Sequence, residues 1–149
     1  MTNAIAATSA AAVLASLELL AERGKDPTAL VYERLFALHP EYRTRFVGDV
    51  DDAVKGAMLS RTISAMLDFL SDPDAGGYGL ATDMVTHEGY DVPGDVFVSF
   101  FPVIRKVACE SLADDWTAEF EAGWADLLGS IEAFLGEVPP SDIDYSHQH

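Results

Sequence analysis

Apolar residues recur along this chain with a period near 3.6, and no segment holds the strict alternation of a half-buried strand, so the pattern predicts an all-α fold. A first helix starts near Ser9 and carries Val13, Leu14, Leu17 and Leu20 on one stripe, with Gly24 as its stop. Asp26-Pro27 opens the next helix, because aspartate can accept orphan amide hydrogens while proline in the first turn gives up no needed donor. Leu30, Leu35, Phe36 and Leu38 form its predicted buried side, and Pro40 ends it. Pro40 itself opens a short helical turn to Phe46, followed by the polar corner Gly48-Asp49-Val50-Asp51-Asp52.

A third helix is expected from about Asp51 to Leu70, presenting Val54, Ala57, Met58, Ile63, Met66, Leu67 and Leu70. Arg61 falls close to that stripe, and packing alone gives no reason for it. Asp72-Pro73-Asp74-Ala75-Gly76-Gly77 reads as a loop ahead of a short helix from Leu80 to Glu88, which Gly89 and the corner Tyr90-Asp91-Val92-Pro93-Gly94 close. Two long helices follow, one with Phe97, Phe100, Phe101, Ile104 and Val107, the other from about Thr117 with Phe120, Trp124, Leu127, Leu128, Ile131 and Phe134.

Composition narrows the function classes. With 149 residues, 49% of them hydrophobic, the chain can bury one sizeable core, read as a single domain over 1–137 with a flexible tail over 138–149. Twenty-five acidic against nine basic residues give a formal charge of −16, which repels nucleic-acid phosphates and anionic membrane surfaces. The single cysteine, Cys109, allows no internal disulfide. No Lys or Arg precedes Arg23, and Glu18 and Glu22 interrupt the first apolar run, so neither a secretory signal nor a membrane span is predicted and the expected compartment is the cytoplasm.

The chemistry centres on His87. Leu80, Met84 and His87 are spaced i, i+4 and i+7, which puts the imidazole on an apolar helix face. The pattern leaves two readings open there, a satisfied core histidine and a metal ligand. No second His, Cys or carboxylate stands at a spacing suited to zinc, whereas a haem asks the protein for one axial imidazole. Phe46, Phe97, Phe100, Phe101, Met58 and Met66 could line the slot a haem needs, although such stripes equally serve an ordinary core.

Three segments carry a family resemblance. Tyr32-Glu33-Arg34-Leu35-Phe36-Ala37-Leu38-His39-Pro40-Glu41, closing at Phe46, looks like the second and third helices of bacterial globins. His87-Glu88-Gly89-Tyr90-Asp91-Val92 resembles the segment at their proximal histidine, and Asp115-Trp116-Thr117-Ala118-Glu119 with Gly123-Trp124 is similar to the start of their last helix. The order and spacing hold from about Leu17 to Phe134, and the resemblance is to bacterial single-domain haemoglobins and the haem domain of flavohaemoglobins.

That resemblance implies a globin fold of about six to eight helices around a pocket for haem b. It makes His87 the iron ligand, Tyr32 the distal hydrogen-bond donor to a diatomic gas (O2, NO or CO) and Phe46 the ring stacked on the macrocycle. Tyr90 and Val92 would pack beside the cofactor; Thr86 and Asp83 are candidate partners for the imidazole, a solvated carboxylate being the other reading of Asp83. Turnover such as nitric oxide dioxygenation would need a separate reductase, so enzyme status stays open.

The departures from the family are specific. Relatives pair the distal tyrosine with a glutamine, but the one glutamine here is Gln148 in the tail, and the matching place falls at Val54, Lys55 or Gly56. Lys55 could lie over the iron, reach a haem propionate or extend to solvent. Phe97 stands where flavohaemoglobins have a tyrosine, and Asp83 stands one turn before His87 where relatives have an apolar residue. His39 is expected at the surface or capping a helix, and the tryptophans as core and helix-start anchors. A homodimer is among the assemblies the surface allows, and the alternative function is a haem-poor or haem-free globin-fold module that signals through protein contacts.

Overall fold

A computed structural model describes residues 5–24, 26–49 and 52–136. Among them the chain forms six α-helices and no strand: α1 (Ala7–Glu22), α2 (Thr28–Leu38), α3 (Ala53–Ser71), α4 (Pro73–Glu88), α5 (Gly94–Leu112) and α6 (Ala118–Gly136), with 3-10 turns at Pro40–Phe46 and Ala113–Asp115. Val50, Asp51, the tail over 138–149 and Gln148 lie outside the described residues.

Local chemistry sets the helix ends. Gly24 takes φ +65°, a left-handed conformation open to glycine, just past the end of α1. Asp26 accepts the Thr28 amide (3.0 Å) and hydroxyl (2.6 Å) at the start of α2. The Asp49 carboxylate reaches forward to the amides of Val54 (2.7 Å) and Lys55 (3.0 Å) in the first turn of α3. Asp72 caps α4 by accepting from the Asp74 and Ala75 amides, with Pro73 in the first helical position. Thr117 does the same for α6 through the Phe120 amide at 3.0 Å.

The segment expected to be a loop, Asp72 to Gly77, is instead the first turn and a half of α4. Gly76 and Gly77 serve packing there: a Cβ on Gly76 would sit 2.4 Å from the Phe69 Cα, and one on Gly77 would sit 2.7 Å from the Phe134 ring. Their lack of side chains lets α4 lie against the backbone of α3 and the ring on α6. α4 thus follows α3 after the single residue Asp72, and the two helices form a tight pair.

The core runs through all six helices, with Val13, Val31, Met66, Phe69, Phe101, Trp124, Leu127 and Ile131 fully enclosed. α5 is the central element, touching α1, α2, α4 and α6. Trp124 is tied to α1 by its Nε1–H, which donates to Ser16 Oγ at 2.8 Å, while the Ser16 hydroxyl donates to the Val13 carbonyl. Several predicted stripes are rotated relative to the observed ones. Leu14, Leu30, Leu38 and Val54 are exposed, as is Ala57, whereas Val31, Leu59 and Phe69 take the buried places. Helices in contact with several neighbours bury more than one narrow stripe, so apolar spacing alone does not fix which edge faces inward.

Candidate functional site

α2, the Pro40–Phe46 turn, α3, α4 and α5 enclose a predominantly apolar cavity of about 370 Å³, within the size range of small-molecule and cofactor sites. Tyr32 and Phe36 enter from α2, Phe46 from the turn, Met58 and Ala65 from α3, Leu80 and His87 from α4, and Phe97, Phe100 and Phe101 from α5. Of the six residues singled out for a cofactor, His87, Tyr32, Phe46, Val92 and Phe97 line this one cavity.

Lys55 does not. Its ammonium is held at 3.0 Å by both Asp49 and Asp52 and lies over the Phe46 ring, 5.3 Å from its centroid. The hydrogen bond to Asp52, with added support from Asp49, raises its pKa against the opposing effect of desolvation, so it stays a paired cation. Val54 and Gly56 do not line the cavity either, and the α3 residues that do are Met58, Arg61, Thr62 and Ala65. Met66, expected in the slot, is in the closed core instead. A second helical face, spaced 58, 61/62 and 65, was available in the sequence to find this wall.

The imidazole of His87 is oriented by the main chain. Nδ1 lies 2.8 Å from the Asp83 carbonyl oxygen one turn back, which can only accept, so Nδ1 donates this bond and Nε2 is the ring nitrogen left for another partner. Phe97 packs on the ring with centroids 5.0 Å apart and adds no hydrogen bond. The two side-chain partners expected for His87 have other roles: the Thr86 hydroxyl donates to the Thr82 carbonyl, and the Asp83 carboxylate accepts from Arg61 at 3.2 Å.

Tyr32 sits in an aromatic cluster with Phe36, Phe46 and Phe100 at centroid distances of 5.8, 5.5 and 5.5 Å. Its hydroxyl is buried and, among the described residues, has no hydrogen-bond partner. Burial, and secondarily the nearby Asp49 carboxylate, push its pKa well above the ordinary tyrosine value, which keeps the phenol protonated and able to donate. An unmet buried hydroxyl in a cavity wall is costly, and a ligand with an acceptor atom relieves that cost.

A polar corner closes the cavity beside His87. Arg45 donates to the Tyr90 carbonyl (2.7 Å) and the Asp91 carbonyl (3.3 Å) while lying over the Tyr42 ring, and Tyr42 Oη also donates to the Asp91 carbonyl. These bonds tie the Pro40–Phe46 turn to the α4–α5 connection, where Asp91 takes φ 65°. Sequence reasoning missed Arg45, which carries no motif of its own. His39, rather than standing free at the surface, is half-buried: its Nε2–H donates to Ser99 Oγ (3.1 Å), whose own proton goes to the Val96 carbonyl.

Among the described residues no group of three or more His, Cys, Asp or Glu side chains could hold a metal ion, and no helix is long and apolar enough to cross a membrane. No known protein family, curated protein or solved structure matches the chain.

Proposed function

We propose that the cavity is the seat of a flat, largely apolar cofactor anchored by one imidazole, and that the cofactor is haem b. On this reading the protein is a haem-binding globin that takes a diatomic gas at an iron held by His87. The observation that carries it is the pairing of two polar groups in one apolar cavity: His87, whose Nδ1 is engaged by the Asp83 carbonyl so that Nε2 is the ring nitrogen left for a ligand, and the Tyr32 hydroxyl, which has no partner among the described residues.

The residues present fit the group. The Asp83 carbonyl fixes the tautomer an axial imidazole requires, and a hydrogen bond to the far ring nitrogen is the common way of orienting such a ligand. Phe46, Phe97 and Phe100 supply flat apolar walls. Haem supplies an iron centre whose ligand affinity depends on the distal hydrogen-bond donors. Tyr32 is this chain's donor: its raised pKa keeps the proton in place, and the aromatic rings around it exclude water. Oxygen binding, or nitric oxide detoxification with a separate reductase, are the activities such a site would serve.

Visible spectra of the purified chain after hemin addition, in ferric, ferrous and CO-bound forms, test the reading. A Soret band that is lost or shifted in His87→Ala is the expected result. A chain that takes up no hemin would overturn it in favour of a haem-free helical module acting through protein contacts.

A further inference from the structure

The lining of the cavity has a charge balance opposite to that of the whole chain. Acidic residues outnumber basic ones by 25 to 9 overall, yet two guanidinium groups, Arg45 and Arg61, face a single carboxylate, Asp83, around the cavity. Arg45 is committed to the carbonyls of Tyr90 and Asp91. Arg61 is not committed in this way. Its side chain is 78% exposed, and one 3.2 Å contact to Asp83 holds it across the mouth between α3 and α4.

We propose that Arg61 is the anchor for a carboxylate on the cavity's occupant, and that Asp83 is the internal carboxylate it holds until the ligand's own takes its place. The inference rests on the haem reading, since an apolar plate with carboxylates along one edge is what this lining would receive. A guanidinium can grip a carboxylate with two parallel bonds, whereas Asp83 uses only one. An exposed ion pair of that kind is weak, so the exchange costs little. It also leaves His87 undisturbed, because Asp83 orients the imidazole through its main-chain carbonyl and engages Arg61 through its side chain. This gives Arg61, which packing does not explain, a reason to stand at the edge of the cavity.

The test titrates metal-free protoporphyrin IX and its dimethyl ester into the full chain, Arg61→Gln and Asp83→Asn, reading porphyrin fluorescence at low salt. Arg61→Gln is expected to weaken binding of the diacid roughly fivefold, the scale of one exposed charge pair, and to leave the diester unchanged. Asp83→Asn is expected to strengthen the diacid by about the same factor by freeing Arg61 and removing a like charge, again without effect on the diester. Equal diacid affinity in wild type and Arg61→Gln, or equal losses for diacid and diester, would overturn the anchor while leaving the cavity reading in place. Failure of the wild-type chain to bind either porphyrin would overturn the haem reading and the anchor with it.

Discussion

Replacing Tyr32 by phenylalanine has opposite expected effects in the ligand-free and loaded protein. The ring sits against Phe36, Phe46 and Phe100 at 5.8, 5.5 and 5.5 Å, and phenylalanine keeps all three contacts. What is removed is a buried hydroxyl without a partner among the described residues, whose desolvation costs roughly 1–3 kcal/mol. Ligand-free Tyr32→Phe should therefore be more stable, melting about 2–10 °C higher for a domain of this size. If the proposed haem site is right, the same change in hemin-loaded protein removes the donor to a bound gas, and O2 should leave about tenfold faster, the equivalent of about 1.4 kcal/mol. Melting of the ligand-free chain by circular dichroism and displacement of O2 by CO in a stopped-flow cell measure the two halves. A lower melting temperature in the ligand-free variant would refute the reasoning, because it would mean that the hydroxyl is already satisfied. Alkali gives a third readout. Above the ordinary tyrosine pKa of 10.0 the unfolded chain loses this proton while the folded chain keeps it. The wild type is therefore expected to hold its stability below that pH and lose it as the pH rises further, a slope that Tyr32→Phe flattens.

Three further outcomes follow from the packing and the site. Ser16→Ala strands the fully buried Trp124 Nε1–H and should cost about 1–3 kcal/mol in urea unfolding. Gly76→Ala should be the more damaging of two neighbouring changes, at about 3 kcal/mol or more, because its Cβ meets the Phe69 backbone. Gly77→Ala meets the Phe134 ring, which can turn aside, and should cost about 1 kcal/mol; equal melting of the two variants would contradict this difference. In hemin-loaded protein Asp83→Asn should leave the iron–histidine stretching frequency unchanged, since the main-chain carbonyl survives the substitution. A fall would show that the carboxylate reaches the imidazole.

Legibility in the sequence followed the range of the interactions. Helix type came from a local period, and Leu80, Met84 and His87 share a face as their spacing requires. A cap was legible at Asp26, where the capping residue adjoins its helix and a proline follows it. The start of α4 was misread because two adjacent glycines look like a loop from within the chain, and their function is set by Phe69 and Phe134 from outside it. Asp72-Pro73, a capping residue followed by proline, was the local signal that could have corrected this. At the site, the resemblance picked out Tyr32, Phe46, His87, Val92 and Phe97, which the fold gathers around one cavity. Lys55, Arg45 and the two separate roles of Asp83 could not be read in the same way. Their partners depend on how the Pro40–Phe46 turn and the α3–α4 pair lie in space.

The α3–α4 pair has the geometry of tweezers. Asp72 is the pivot, and Gly76 pressed against Phe69 locks the closed end. Arg61 and Asp83 sit at equal distances along the chain from that pivot, about 16 Å down each arm at the helical rise. At that leverage a splay of about 10° would part the tips by about 3 Å, enough to break their 3.2 Å contact. Both arms contribute to the wall of the cavity, Met58 and Ala65 from one and Leu80 and His87 from the other. A change in the angle between these two helices would thus alter the slot that His87 lines, with the Arg61–Asp83 separation as its gauge.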